Sequence, residues 1–278
     1  MRKIRIDAPA KLNVFLDVKK PARRDGFHEI VSLTGKISLS DTVTVSAADK
    51  IILEIDSPWA IPPGKKNICQ AAAELLRKKV YFPGACIKLK KSIPPGQGMG
   101  GGSSDAAAVI KAIDKLWNLR LPEEIKMSVA ASAGSDVPLF LMPSSFVWIR
   151  GRGEKIAAAR RKIKGAVVVW FGRALSTKLV YEYFDRLPGG EDFCGTYYDM
   201  KGATPGAAGR TVFYNALEEA AFRIRPFIEK KKKMLFSAGA ENALMTGSGS
   251  AVFAVFKNTA LAEKFAKGRR SCKIARFL

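Results

Sequence analysis

Hydrophobic and polar residues alternate along several segments of the chain, most regularly at residues 10–18. The even positions there are Ala, Leu, Val, Leu and Val, whereas Lys11, Asn13 and Asp17 occupy odd positions. Because successive side chains of a strand point to opposite faces, this segment predicts a strand with one apolar face. Lys11 and Asn13 therefore share the other face. Similar patterns predict strands at about 36–46, 50–55 and 85–90.

Other segments repeat their apolar residues at helical spacing. A helix is predicted at about 67–79, and a second one follows a glycine-rich stretch, with apolar residues at 106, 109, 110, 113, 116 and 117. Pro122, with two glutamates directly after it, marks the start of a third helix. The first half of the chain is therefore mixed α and β.

The second half begins after a charged, loop-like stretch at 150–164 with the apolar strand GAVVVWF. Residues 187–210 are rich in glycine and proline and predict a long loop. The segment ENALMTGSGSAVFAVF indicates a strand, a glycine turn and a strand. Further elements are predicted as helices at about 176–185, 211–224, 226–236 and 258–267 and a strand at 271–277. We therefore predict an α+β protein with domains at 1–160 and 161–278.

Composition indicates a globular protein of a reducing compartment. Of 278 residues, 47% are hydrophobic and 26% charged, and no apolar run approaches the ~20 residues of a membrane span. Polar residues interrupt the apolar N-terminal segment, which argues against a secretory signal. The four cysteines are scattered without a CxxC pair, so neither a disulfide framework nor a sulfur-ligated metal is expected. A cytoplasmic location is predicted.

The charge of the chain is unusual, since 47 Lys and Arg against 25 Asp and Glu give a net charge of +22. Such a field attracts nucleic acid, an acidic membrane surface or a polyphosphate substrate, although a generally basic proteome would also explain it. The basic runs at 160–164, 230–233 and 268–276 contain no interleaved stacking aromatics. We interpret them as solvated faces and expect no specific nucleic-acid or membrane partner.

The stretch PPGQGMGGGSSDAAAVI at 94–110 is the strongest candidate for chemistry. A Walker A loop would need Lys where Gly102 stands. Gly96, Gly98 and Gly101 satisfy GxGxxG by count, but two prolines separate the loop from the preceding strand, which disfavours a dinucleotide site. The loop therefore matches neither familiar phosphate motif.

The loop nevertheless has the two physical features that those motifs share. Glycines allow the backbone to approach a ligand closely, and the helix beginning near Ser103 adds its positive end. These features predict an anion cradle suited to the phosphates of ATP. The alternative is a structural turn with a serine N-cap and with Asp105 complementing the helix dipole.

The segment PPGQGMGGGSSDAA resembles the second signature of the GHMP kinases, the superfamily of galactokinase, homoserine kinase and mevalonate kinase. Its extra glycines resemble the branch that acts on a methylerythritol unit carrying cytidine diphosphate. Six further segments follow in the family's order between residues 8 and 253: APAKLNVFLDV, RRDGFHEI, ISLSDTVTV, GSDVPLFL, GRGEKI and MTGSGSAVF. The resemblance implies a two-domain α+β fold. Its N-terminal domain would be ribosomal-protein-like with a left-handed β-α-β unit, an exception to the usual hand, and its C-terminal domain ferredoxin-like.

The resemblance also implies a reaction, the transfer of the ATP γ-phosphate to a substrate hydroxyl, with Mg²⁺ accompanying ATP. Asp136 matches the catalytic aspartate, the base for the hydroxyl. Lys11 matches the lysine that orients the hydroxyl or steadies the developing charge. Considered without the family, Asp136 could be a loop cap and Lys11 a solvated strand lysine.

The binding residues follow from the same match. Those for ATP are Pro94, Pro95, Gly96, Gln97, Gly98, Met99, Gly100, Gly101, Gly102, Ser103, Ser104 and, beside the adenine, Asn67. Those for the acceptor are Asn13, Phe27, His28, Tyr181, Thr246, Gly247 and Gly249. Phe27 stands where the family commonly has Tyr, and Thr246 where Ser is usual. His28, matched to recognition of the cytosine edge, is the single histidine of the chain, which excludes a His-rich metal site, and no protein metal ligands are predicted.

Two alternatives remain open at this point. The chain could be another small-molecule GHMP kinase, or a basic nucleic-acid-binding protein on a related scaffold that has lost catalysis. The combination of Lys11, Asp136 and an intact glycine loop favours a kinase with small-molecule substrates, as a monomer or homodimer.

Overall fold

The computed structural model describes residues 2–62, 64, 67–189 and 213–278. Most of the predicted loop at 187–210, including Cys194, and the start of the predicted helix at 211–224 lie outside them. The strands of the described chain are β1 (Lys3–Lys19), β2 (Glu29–Ala47), β3 (Ile51–Asp56), β4 (Ala85–Lys90), β5 (Phe146–Gly151), β6 (Lys155–Ala159), β7 (Ala166–Trp170), β8 (Tyr214–Asn215), β9 (Asn242–Met245), β10 (Val252–Phe256) and β11 (Cys272–Ala275). Its helices are α1 (Ile68–Lys79), α2 (Gly101–Trp117), α3 (Glu123–Ala133), α4 (Val137–Leu141), α5 (Thr177–Arg186), α6 (Glu218–Ile224), α7 (Phe227–Ser237) and α8 (Thr259–Ala266).

The predicted mixture of α and β is confirmed, with two local errors. The helix predicted at 211–224 is wrong in its first part, because Tyr214 and Asn215 form β8, which pairs parallel with β1, and α6 begins only at Glu218. Residues 150–164 were expected to form a charged loop, but β5 extends to Gly151 and β6 pairs antiparallel with it. Most of the side chains of β6 are exposed or half-buried, so the strand lacks the apolar alternation that makes strands visible in a sequence. Backbone pairing alone therefore defines this hairpin.

The described residues pack into two compact units. The first comprises residues 1–10, 38–95 and 100–143, and the second comprises residues 11–37, 96–99 and 144–278. β1 and β2 are long enough to contribute residues to both. These units are discontinuous along the chain and are grouped by contacts, so they do not test the predicted division at residue 160, which stays a prediction.

In unit 1, β4 pairs antiparallel with the C-terminal part of β2 and parallel with β3. α1 connects the two parallel strands and packs against α2. Asn67 caps α1 by accepting a bond from the Cys69 N–H at 2.9 Å, and three basic residues in the last turn complement the helix dipole. Its buried face is Cys69, Ala72, Ala73 and Leu76.

In unit 2, four strands form an antiparallel sheet in the order β11-β7-β10-β9. Along the chain, β7 is followed by helices and then by β9, β10, α8 and β11, when β8, which belongs to the other sheet, is left out. A β-α-β-β-α-β sequence with the first and third strands at the centre is the ferredoxin-like arrangement, as predicted. Every residue of β7 and β10 is buried, which explains why these strands are apolar without alternation.

A buried charge cluster ties α2 to the strands of unit 1. Lys91, directly after β4, donates to Asp105 Oδ2 of α2 at 2.7 Å and to the carboxylate of Asp41 in β2. Asp41 Oδ1 also accepts the Ile93 N–H at 2.8 Å. The suggestion that Asp105 complements the helix dipole is therefore wrong, because the first turn of α2 contains no acid and Asp105 is paired with Lys91.

Burial and charge act against each other in this cluster. Burial raises the pKa of Asp105 to about 8, and the nearby Lys91 only partly offsets this. Burial by itself lowers the pKa of Lys91, but the carboxylates of Asp105 and Asp41 outweigh it and raise that pKa. Lys91 therefore stays charged while Asp105 takes up a proton near neutral pH.

We expect Lys91→Met to destabilise the protein strongly. It leaves two buried carboxyl groups without their cation, which costs about 3–5 kcal/mol of unfolding free energy when a buried ion pair is broken. Lys88→Met is the matched control, because Lys88 makes its ion pair with Glu54 while its side chain is 59% exposed. Urea unfolding followed by circular dichroism measures both. Equal losses in the two variants would contradict a structural role for the cluster.

The stability should also depend on pH through Asp105. Its pKa in the folded protein, about 8, lies above the ordinary value of 3.8, so the folded state holds this proton more tightly than the unfolded state. This contribution is complete below the ordinary pKa and declines as the pH rises toward about 8. Asp105→Asn cannot titrate, so its urea midpoint should fall less than that of the wild type between about pH 5 and pH 8. The exposed Asp49→Asn variant should keep the wild-type slope, and an unchanged slope in Asp105→Asn would refute the assignment.

Candidate active site

The first half of the glycine loop packs against the predicted third signature within unit 2. Gly98 has a φ of 74°, and a Cβ there would lie 2.3 Å from the Thr246 carbonyl oxygen. No side-chain carbon can approach so closely, so the position requires glycine for its backbone angle and for its contact. Gly247 meets the same segment, since its Cβ would lie 3.2 Å from the Gly98 oxygen. Residues 96–99 and 246–249 are thus in direct contact.

The second half of the loop forms the beginning of α2 in unit 1. Gly100 occupies the N-cap in a left-handed conformation, with a φ of 66°, and no side chain caps the helix. The alternative interpretation as a serine N-cap is therefore wrong. A helix start without a side-chain cap or first-turn acid leaves its N–H groups available to an anion. Ser104 Oγ is buried and has no hydrogen-bond partner among the described residues.

A buried polar network occupies the face that Lys11 and Asn13 share. Lys11 Nζ donates to Asn13 Oδ1 at 2.6 Å, which confirms that the two side chains lie on one face of β1. Asn13 Nδ2 donates to Ser32 Oγ at 2.8 Å and to Thr34 Oγ1 at 3.1 Å. Lys11 is only 7% exposed, so the alternative of a solvated strand lysine is wrong.

The backbone of β1 joins this network to two other motifs. The Lys11 N–H donates to the Met99 oxygen at 2.9 Å, and the Asn13 N–H donates to Thr246 Oγ1 at 3.1 Å. Threonine keeps the hydroxyl of the family's usual serine, so the departure at Thr246 retains this contact. Three segments from distant parts of the sequence, around residues 11–13, 98–99 and 246–247, therefore meet within unit 2.

Two buried amides hold these loops in place. Asn215 Nδ2 donates to the oxygens of Met245 and Gly247, both at 2.8 Å. The side chain of Gln97 pairs with Gly172 in both directions, donating at 2.8 Å and accepting at 2.9 Å. Gln97, predicted to bind ATP, thus uses its side chain to brace the loop. Any contact of Gln97 with a nucleotide would involve its backbone.

A pocket of about 550 Å³ in unit 2 brings together Phe27, His28 and Tyr181, three of the residues matched to the acceptor. The rings of His28 and Tyr181 are 5.0 Å apart between centroids. His28 Nε2 lies 2.7 Å from Asp185 Oδ1, a residue that also lines the pocket. The pocket therefore offers aromatic faces and one oriented imidazole.

Phe27 is positioned by charged neighbours although its side chain is 58% exposed. The Arg152 guanidinium lies over its ring at 5.7 Å, and Arg152 Nη1 is 3.2 Å from Asp25 Oδ2. Asp25 Oδ1 in turn accepts the Phe27 N–H at 3.1 Å. A cation over the ring face attracts its quadrupole and restricts its motion. Phe27 is thus held at the pocket by Arg152 and Asp25, without a side-chain hydroxyl.

Asp136 and Asn67 belong to unit 1, and they differ in how their side chains are used. Asp136 occupies the N-cap position of α4, but its half-buried carboxylate makes no capping hydrogen bond. The loop-cap alternative therefore lacks its essential contact. Asn67, by contrast, caps α1 and donates from Nδ2 to the Pro62 oxygen at 3.0 Å, so both ends of its amide are occupied.

Sequence reasoning missed several residues of the site. Ser32 and Thr34 interrupt an apolar strand two positions apart, a pattern that could have marked a polar face. Asp185 follows Tyr181 by four residues, which places both on one face of α5. Asn215 and Arg152 were missed because the contacts that bring them into the site, to the oxygens of Met245 and Gly247 and to Asp25 and Phe27, join residues distant in sequence.

The part of the chain that the structure describes contains neither a cluster of metal-ligating side chains nor a helix that could cross a membrane. No group of three or more His, Cys, Asp or Glu side chains among those residues could hold a metal ion. None of their helices is long and apolar enough to cross a membrane.

Comparison with known families and proteins agrees with this geometry. The family described as "GHMP kinases N terminal domain" matches residues 67–144, and "GHMP kinases C terminal" matches residues 202–271. The chain is 37% identical over 260 residues to 4-diphosphocytidyl-2-C-methyl-D-erythritol kinase of Caldanaerobacter subterraneus subsp. tengcongensis, covering 92% of this chain and 89% of that protein. It is 31% identical to the protein of the same name from Chlorobium chlorochromatii, covering 91% and 88%.

Solved structures give the same result. A crystal structure of 4-(cytidine 5'-diphospho)-2C-methyl-D-erythritol kinase superposes with a TM-score of 0.81 at 30% identity, covering 98% of both chains. Homoserine kinase from Cytophaga hutchinsonii superposes with a TM-score of 0.69 at 17% identity, covering 99% of this chain and 95% of that one, and this likeness concerns the fold alone. The chain therefore has the two-domain GHMP kinase fold and belongs to the 4-diphosphocytidyl-2-C-methyl-D-erythritol kinase family.

Proposed function

We propose that this protein transfers the γ-phosphate of ATP to the 2-hydroxyl of 4-diphosphocytidyl-2-C-methyl-D-erythritol, a step of the non-mevalonate route to isoprenoid precursors. The single observation that carries the proposal is the pocket uniting Phe27, His28 and Tyr181, because the acceptors mevalonate and homoserine contain no nucleobase that such a pocket could bind. The relatives at 31–37% identity bear the name of this activity.

The ATP triphosphate is proposed to bind at the start of α2 and along the glycine loop. N–H groups without side-chain caps and the positive helix end favour negative charge there. The buried Ser104 hydroxyl, which has no partner among the described residues, would be satisfied by a phosphate oxygen or by an ion bound to it. Mg²⁺ typically keeps several waters and takes one or two protein oxygens beside the phosphates, so it fits a site without an acidic cluster. When bound, Mg²⁺ would neutralise part of the negative charge of the phosphates.

Asp136 is proposed to accept the proton of the attacking hydroxyl. Its carboxylate is half-buried and is not engaged in capping α4, which is consistent with a role toward substrate. Lys11 is proposed to orient the hydroxyl or to stabilise the charge that develops on it. Phosphoryl transfer depends mainly on such positioning and charge stabilisation. Asn13, bonded to the Lys11 ammonium, sets where that charge is presented.

The acceptor is proposed to place its cytosine in the pocket, with Phe27 and Tyr181 against its faces and His28 at its edge. Stacking needs only an aromatic face, so phenylalanine serves at position 27. The free thiols of Cys69, Cys86 and Cys272 fit the proposed cytoplasmic location. We propose that the enzyme works as a monomer or homodimer with domains at 1–160 and 161–278.

Asp136→Asn should abolish most of the turnover without unfolding the protein. Asparagine keeps the shape but cannot take the proton, and loss of a general base typically slows chemistry by about 10²–10⁴-fold. The lower end is expected, because a dissociative transition state demands little of the base. Single-turnover phosphoryl transfer and thermal melting should be measured on one preparation, with Asp49→Asn as the control for the same substitution at an exposed site. Wild-type rates in Asp136→Asn would remove the catalytic assignment.

His28→Ala should weaken the acceptor and leave ATP almost unaffected. The variant loses a base-edge hydrogen bond, so the KM of the acceptor should rise while the KM of ATP changes little. In the wild type, CMP and CDP should compete with the acceptor better than UMP and UDP. Steady-state kinetics with both substrates varied give all these constants. Equal competition by uridine nucleotides, together with a harmless His28→Ala, would exclude the cytosine pocket.

A further inference from the structure

We propose that Asp185 fixes the tautomer of His28 and thereby makes the pocket selective for a base that presents an amino group. Asp185 is then a positioning residue that acts through His28 and does not need to touch the substrate. The proposal deepens the proposed function and rests on its placement of cytosine beside His28.

The geometry determines which imidazole nitrogen carries hydrogen. His28 Nε2 is 2.7 Å from Asp185 Oδ1, and an ionised carboxylate can only accept hydrogen bonds. Nε2 must therefore be the donor. In the neutral ring the other nitrogen, Nδ1, then has a lone pair and no hydrogen. No residue of the described chain forms a hydrogen bond with Nδ1, which leaves it able to read a ligand in the pocket that His28 lines.

That lone pair distinguishes two pyrimidines of nearly the same shape. Cytosine carries an amino group at C4, which donates, whereas the corresponding oxygen of uracil accepts. An Nδ1 without hydrogen can accept a hydrogen bond from the amino group of cytosine. It cannot bond to the oxygen of uracil, because both atoms are acceptors and their lone pairs repel each other. With the opposite tautomer the preference would reverse. The discrimination between the two bases thus depends on the atom to which Asp185 directs the proton.

The packing of helix α5 holds Asp185 in place beside His28 Nε2. Its N-cap is Ser176, whose side chain accepts from the Leu179 N–H, and its buried residues are Val180 and Phe184. Phe184 also meets the His28 ring edge to face, with centroids 6.0 Å apart. The aromatic contacts of Tyr181 and Phe184 and the carboxylate of Asp185 therefore reach one imidazole from a single packed helix. His28 itself is only 8% exposed, which restricts its ring.

A simpler role for Asp185 would be to add negative charge to the pocket or to attach α5 to the segment that carries His28. Glu182 provides the matched comparison, because it lines the same pocket with the same charge. The tautomer role predicts that Asp185→Asn and Glu182→Gln behave differently, although each removes one carboxylate. The asparagine amide can donate as well as accept, so it supports either tautomer of His28.

The decisive experiment uses the fact that His28 is the single histidine of the chain. Protein labelled with ¹⁵N-histidine and purified without a histidine tag gives one pair of imidazole nitrogen signals. In mildly alkaline buffer the wild type and Glu182→Gln should both show hydrogen on Nε2 and a bare Nδ1. Asp185→Asn should shift toward the other tautomer or a mixture. A wild-type ring protonated on Nδ1, or an unchanged tautomer in Asp185→Asn, would overturn the proposal.

Competition kinetics on the same preparations connect the tautomer to recognition. The ratio of UMP to CMP inhibition constants should fall in Asp185→Asn by several-fold, on the order of 10-fold for one lost hydrogen bond, and stay unchanged in Glu182→Gln. The KM of ATP should not move. If wild-type enzyme fails to discriminate CMP from UMP, the proposed cytosine pocket itself is wrong and this inference falls with it. If the wild type discriminates and Asp185→Asn retains the full ratio with a normal melting temperature, only the role of Asp185 is wrong.

Discussion

The structure of unit 2 depends on how a buried lysine is accommodated. Burying an ammonium group without polar partners costs several kcal/mol of folding free energy. The Lys11 ammonium donates to the amide oxygen of Asn13. That amide is then satisfied on its nitrogen side by two hydroxyl groups of β2. Because each member bonds to the next, any shift of β1 against β2 would leave a buried polar group unpaired. The network thus specifies one register for the strands that carry Lys11.

The same constraint positions the two glycine loops. Their contacts with β1 run through the backbone, from the Lys11 N–H to Met99 and from the Asn13 N–H to the Thr246 hydroxyl. Backbone contacts at this distance are possible only because Gly98 has no side chain. Three sequence signatures that lie far apart in the sequence therefore form one arrangement within unit 2, held by polar groups rather than by apolar packing. This is why the signatures read as polar and glycine-rich although they are buried.

The sequence predicted the parts of this arrangement that local physics controls. Strand alternation alone placed Lys11 and Asn13 on one face, and helical spacing located α1 and α2 to within a few residues. The family resemblance selected Phe27, His28 and Tyr181, which share a pocket. The pairings were not predictable, although Ser32 and Asp185 carry pattern signals. Ser32 meets Asn13, Asp185 meets His28 and Asn215 meets Met245 only after the chain has folded. The hairpin of β5 and β6 was missed for a related reason, since its outer strand is defined by hydrogen bonds and not by side-chain pattern.

The start of α2 illustrates how stability and binding are separated. A side-chain cap or a first-turn acid would stabilise the helix but would also occupy or repel an anion, and α2 has neither. Its stability is supplied one turn later, by Asp105 bonded to Lys91 and by ten buried residues along the helix. The net charge of +22 can attract any polyanion, so it does not by itself distinguish one nucleotide from another. Selectivity must then come from groups such as the His28 imidazole, whose hydrogen-bonding direction can differ between two ligands of equal charge.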